Sequence, residues 1–207
     1  MSTLTQYQIF DILNRPRPLW LVKVDLSDLT LISVDLTNSN LSLANLSKTD
    51  LNYATLINCN LTKANLTLAN LFEANLTTAI LNGANFTRAN LTRANLSKCE
   101  LQEAILVEAN LSRAILSKSN LQRANLSTAT LTRADLSKSN FTGANLNNAI
   151  LQRANLFEAD LSNASLRNAD LRWADLTAAN LRDADLTNAN LEGADLTDAI
   201  LPEIVIK

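Results

Sequence analysis

The 207-residue sequence contains no histidine. That removes the most frequent general base and metal ligand, and no Ser–His or Cys–His pair can be assembled for nucleophilic catalysis. Two cysteines, Cys59 and Cys99, are too few for a disulfide scaffold, and their scarcity fits a cytoplasmic setting. Three glycines, Gly83, Gly143 and Gly193, leave no glycine-rich phosphate loop. Aromatic residues make up only 4%, so the core must be uniform rather than an assembly of large shapes. No stretch reaches the roughly 18 consecutive apolar residues that a membrane-spanning helix needs. The opening "MSTLTQYQIFDILNRPRPLW" lacks the basic start and apolar run of a secretory signal. The formal net charge of −2 points to neither a nucleic acid nor a strongly acidic surface. Nothing in the composition calls for a cofactor or metal.

What is abundant is leucine and alanine, and they are periodic. In "ADLTNANLEGADLTDAI" (184–200), leucines fall at 186, 191 and 196, each preceded by a small residue two positions earlier. From Leu21 to Leu201 every fifth residue is Leu, except Phe86 and Phe141, over 37 consecutive centres without an insertion. Taking each centre as i, position i−2 is mostly Ala, i−1 mostly Asn or Asp, and i+1 and i+2 vary and are mostly polar. On an α-helix, five residues advance about 500°, which would smear the leucines around the rod. A straight strand would send every second leucine to the wrong face. The chain must therefore bend with the repeat so that i and i−2 always face one axis.

A second period sets how many bends close a turn. "LSRAILSKSNLQRA" (111–124) resembles "LTRADLSKSNFTGA" (131–144), a lag of twenty. Four quintets then make one square coil, each quintet forming one side, and coils stack at about 4.8 Å. The A-[DN]-L-x-x pattern resembles that of the pentapeptide-repeat proteins, over residues 21–206. The resemblance implies an all-β fold, a right-handed quadrilateral β-helix of about nine coils. About nine coils at that spacing give a tower about 40 Å long. Leu and the i−2 residue should lie inside, Cys59 and Cys99 among the latter. Asn and Asp at i−1 should suit the tight turn, tolerating unusual backbone angles and bonding nearby amides.

Stacked coils need their ends covered. Residues 1–20 read as a capping segment and 21–207 as the repeat. Apolar Leu4, Ile9, Phe10, Ile12 and Leu13, after a Thr-x-x-Gln start, predict a short helix over 4–14 ended by Pro16 and Pro18. It is expected to lie across the first coil, whose i−2 residues Val24, Leu29 and Val34 are large, with Trp20 as a further plug; docking a partner is the alternative. At the far end Ile204 and Ile206 keep the register and should close the shaft. That end is a candidate surface for a homodimer, as in family members that pair end to end.

Folding the sequence at twenty also aligns its surface. One i+2 column reads Ser33, Tyr53, Glu73, Arg93, Arg113, Arg133, Arg153, Trp173, Gly193. The neighbouring side carries Lys98, Lys118 and Lys138. Residues 81–155 have net charge +5 and residues 156–207 net −6. A basic stripe bracketed by Tyr53 and Trp173 suits phosphates, stacked bases or an acidic protein. Twenty-residue duplication would copy such a column whatever its use, so ancestry and binding both remain open. The leading expectation is a non-enzymatic scaffold that binds a protein partner through this stripe. The alternatives are direct nucleic-acid binding and DNA mimicry. The second is implied by family members that protect a type II topoisomerase from quinolones. This chain departs from those members in its small net charge, basic middle and uninterrupted repeats.

Overall fold

The computed structural model describes residues 6–203. From Trp20 onward the chain is a stack of coils. Each i−1 residue bridges in parallel to the residue twenty further along, from Trp20 with Asn40 to Asn180 with Ile200. Four quintets therefore close each coil, and successive coils lie in register. Every bridge is isolated. Among the described residues the solenoid thus contains no extended strand: each side contributes one bridging residue, and the rest of its quintet turns.

The quintet around Leu91 shows where the main-chain donors go. Leu91 and Arg93 N–H donate forward to the carbonyls of Asn110 (2.7 Å) and Ser112 (3.0 Å) in the next coil. Asn90 N–H donates back to Ala69 at 2.9 Å, and Ala89 N–H closes a four-residue turn on the Phe86 carbonyl at 2.9 Å. The remaining amide, Thr92 N–H, donates to Asn90 Oδ1 at 3.2 Å. All five N–H groups are satisfied, one of them by the i−1 side chain.

This corrects the expected role of Asn and Asp at i−1. They supply the acceptor but not the unusual backbone angle, because a bridging residue must stay extended. The left-handed residue is i+2: from Lys23 to Asp198 every one has φ between 54° and 67°, and only three are glycine. A four-residue turn of this kind needs positive φ at its third residue.

Every centre from Leu21 to Leu181 is buried, Phe86 and Phe141 included, as is every i−2 residue from Ser39 to Ala184. Each such leucine contributes about 1.5–3 kcal/mol. Three of the polar i−2 residues are satisfied by leucine carbonyls: Thr49 Oγ1 donates to Leu26 at 2.7 Å, and Ser119 and Ser139 Oγ to Leu96 and Leu116 at 2.7 and 2.6 Å, while Ser39 Oγ accepts from Leu19 N–H at 2.9 Å. Cys59 and Cys99 sit in the same column as these serines. Both are free and buried, and their thiols donate to the Leu36 and Leu76 carbonyls at 2.8 and 3.0 Å. Burial pushes them up to about 11 and about 12, respectively. They are fillers of Ala size, not nucleophiles.

At the N-terminal end, α1 spans Gln6–Leu13. It stops short of Pro16, since the residue before a proline avoids helical angles. Ile9 belongs to the same buried cluster as Leu19 and Leu21, and Ile12, Leu13, Val24, Leu29 and Val34 are partly buried against it. Trp20, expected as a plug, is 80% exposed. Its place in the repeat is i−1, whose side chain points outward; Leu19 is the buried residue instead. Leu4 and the threonines of the expected helix start lie outside the described residues, as do Ile204 and Ile206. In the last described coil Leu186, Leu191 and Leu196 are only partly buried. Among the described residues no helix is long and apolar enough to cross a membrane.

Candidate partner-binding face

The i+2 arginines are stacked by the main chain. Arg93, Arg113, Arg133 and Arg153 N–H donate to the carbonyls of Ser112, Thr132, Gln152 and Arg172, the i+1 residues of the following coil, at 2.9–3.0 Å. The four side chains therefore leave one face in four successive coils. Lys98, Lys118 and Lys138 are held likewise on the neighbouring face, through Ser117, Ser137 and Phe157. The left-handed angle at i+2 throws each of these side chains outward.

The ends of the arginine column are occupied. Arg93 Nη1 pairs with Glu73 Oε1 at 2.9 Å. Below Glu73, Tyr53 and Phe72 meet edge to face, with ring centroids 5.7 Å apart. At the other end the guanidinium carbons of Arg153 and Arg172 lie 5.4 and 5.5 Å from the Trp173 ring centre, within cation–π range. Gly193 makes room for that ring: a Cβ there would come 2.5 Å from Trp173 Cδ1. Arg172 also grips Asp170 through Nε (2.9 Å) and Nη2 (2.7 Å), and Gln152 Nε2 reaches the same carboxylate at 2.6 Å. The Arg172 guanidinium, helped by Gln152, holds the Asp170 carboxyl well below its usual range. Trp173 remains 47% exposed.

Between these ends, among the described residues, Arg113 and Arg133 have no acidic partner, and neither do Lys98 and Lys118 on the next face. Lys138 is 3.4 Å from Glu158 and lies over the Phe157 ring. Arg113, Arg133 and Arg153 line a shallow hollow with Thr132, Gln152 and Trp173. The nine residues singled out from the sequence thus fall into three groups: a free basic centre, paired flanks, and Tyr53 as a separate aromatic outpost. The sequence reading gave no role to Arg172, Asp170 or Gly193. Gly193 was the available signal, standing next after Trp173 in its column. Among the described residues, no cluster of His, Cys, Asp or Glu could hold a metal ion.

Comparisons with known proteins agree with the architecture. The chain is similar over 99% of its length to the whole of HetL, a pentapeptide repeat protein involved in heterocyst differentiation regulation from the cyanobacterium Nostoc, at 34% identity and a TM-score of 0.61. It is also similar over 89% of its length to 90% of QnrB1, a plasmid-mediated fluoroquinolone resistance protein, at 23% identity and a TM-score of 0.60. That second likeness carries the fold alone. No curated protein matches the sequence. The model of the pentapeptide repeats matches in eight copies, over residues 30–67, 69–106, 94–133, 124–163, 134–172 and 164–201. With a five-residue period and a twenty-residue coil across that span, the chain belongs to the pentapeptide-repeat family.

Proposed function

We propose that this protein is a non-enzymatic scaffold that binds a partner protein through its arginine and lysine faces. The observation that carries the reading is the unspent charge of Arg113 and Arg133. Both stand at the centre of a rigid column whose outer members are already paired or stacked. Like charges about 4 Å apart repel by between about 1 and about 4 kcal/mol, depending on how wet the surface is. An arrangement that opposes folding in this way is better matched to a ligand than to stability. Solenoids commonly bind along such extended sides. The likeness to HetL, a protein of differentiation regulation, favours a regulatory binding role over catalysis. The same reading takes the coil as right-handed and four-sided, and sets the protein in the cytoplasm, where buried Cys59 and Cys99 stay reduced.

The test is affinity capture from the native cell with wild type beside a variant carrying Arg93→Gln, Arg113→Gln, Arg133→Gln and Arg153→Gln. A partner held by wild type and lost by a variant with unchanged circular dichroism supports the scaffold. Identical capture by both refutes the stripe. A second reading rests on the partly buried Leu186, Leu191 and Leu196: two copies meet at their C-terminal ends. Sedimentation equilibrium tests it, and a monomer at every concentration dismisses it.

A further inference from the structure

The arginine face carries a second departure from the repeat. In most turns the i+1 N–H is taken by an Asn or Asp side chain at i−1, as when Ser112 donates to Asn110 at 3.0 Å and Arg172 to Asp170 at 3.2 Å. Between those two turns the rule fails twice. Thr130 and Ile150 occupy i−1, and the N–H groups of Thr132 and Gln152 find no acceptor among the described residues. Other uncapped i+1 amides stand singly, at Ile32 and Phe72 on this face and, for example, at Ile57 and Val107 on others. Only Thr132 and Gln152 are stacked in successive coils of one face. They lie in the hollow beneath Arg113, Arg133 and Arg153.

We infer that this centre holds the carboxylates of an extended acidic segment of a partner protein, bound by the three guanidiniums and by the free amides of Thr132 and Gln152. The inference rests on the reading of the stripe as a contact surface and supplies its chemistry. A carboxylate oxygen from outside takes the place that the Asn or Asp oxygen fills in most turns. Charge-assisted bonds from both backbone and guanidinium donors give it a strong hold. Length argues for a short peptide. Four coils span about 15 Å, which an extended segment covers in about four to five residues. Its alternate side chains recur at about 6.7 Å against about 4.8 Å for the coils, a mismatch that flexible arginines absorb. A long polyphosphate strand would run onto Glu73 at one end and onto the acidic C-terminal third, residues 156–207, at the other.

The experiment uses the full chain and three probes: a short labelled peptide with glutamate at every second position, its glutamine counterpart, and single-stranded oligothymidylate. Wild type should bind the glutamate peptide and not the glutamine one, and more weakly as salt rises. Arg113→Gln with Arg133→Gln should weaken binding about 100-fold. The telling variant is Thr130→Asn with Ile150→Asn, which caps both amides without touching a charge. It should weaken binding at least about tenfold while the melting temperature rises. If that variant folds and binds like wild type, the amide site is overturned and the stripe reading survives. If the arginine variant folds and binds the peptide like wild type, the stripe reading itself falls. Tighter binding of the oligonucleotide than of the glutamate peptide assigns the face to nucleic acid and overturns the acidic-peptide inference.

Discussion

Thr128 and Thr132 are the same residue type four positions apart, and replacing each with glycine should move stability in opposite directions. Thr128 occupies i+2 with φ of 58°. A β-branched residue in the left-handed region is a genuine outlier, and holding any L-residue there costs about 1–2 kcal/mol. Its hydroxyl reaches only the carbonyl of Ser127, at 2.5 Å. Thr128→Gly releases that strain and gives back about 0.5–1 kcal/mol in glycine's backbone entropy, a net gain of about 0.5–1 kcal/mol. Thr132 occupies i+1, where φ is not positive, and its side chain makes no hydrogen bond among the described residues. Thr132→Gly therefore bears only the entropy and loses about 0.5–1 kcal/mol. In urea, with m near 3 kcal/mol/M, these become midpoint shifts of about +0.2 to +0.3 M and about −0.2 to −0.3 M. Circular dichroism at matched protein concentration reads both. A solenoid can unfold in pieces, so the paired shift and not an absolute free energy is the quantity to compare. If both variants lose stability equally, the left-handed column is not where the turns store their strain. Asn at 128, which tolerates these angles, should fall between Thr and Gly.

Leu111→Lys places an ammonium in the dry shaft and should unfold or split the tower. Ser112→Lys should be nearly silent, and equal effects on the thermal melt would mean that inside and outside are misassigned. Gly193→Ala drives a Cβ into Trp173, so the ring must lift off and lose its place beside Arg153. Indole fluorescence in a Trp20→Phe background should shift, whereas Gly143→Ala, whose Cβ meets only Arg123 Cγ at 3.7 Å, should leave it unchanged. Acid should weaken the C-terminal coils first. Hydrogen bonds from Thr187, and then Arg167, hold Asp185 at about 2, and Arg172 holds Asp170 lower still. Both folded values lie below the unfolded one, so their contribution is complete above about pH 4 and is lost as pH falls through the folded values. The melting temperature should drop between about pH 4 and about pH 2, less steeply in Asp170→Asn. A flat profile in wild type would contradict the pairing.

How much of this was readable beforehand follows from what each position must do. Leu111, Cys59 and Cys99 could be placed inside because a shaft admits only one large and one small apolar group per side, and a strict period announces which positions those are. Arg93 to Arg153 could be aligned because the lag of twenty is the circumference itself. Trp20 was misread because its bulk suggested a plug, while its register, i−1, required it to bridge Asn40 and face outward. The left-handed column was hidden for the opposite reason. Positive φ ordinarily announces itself through glycine, yet this column holds arginine, lysine, glutamate and tryptophan. Coil-to-coil hydrogen bonds over-determine its angle, so the side chain is free to serve the surface. The uncapped amides were legible in principle. Once i−1 is known to cap i+1, Thr130 and Ile150 become two missing acceptors in adjacent coils, directly between the arginines. In a sequence this regular, a departure from the repeat is worth more than a match to it. Matches are required by the tower, whereas a departure that exposes two donors beside three cations gives up local satisfaction that Asn would have supplied.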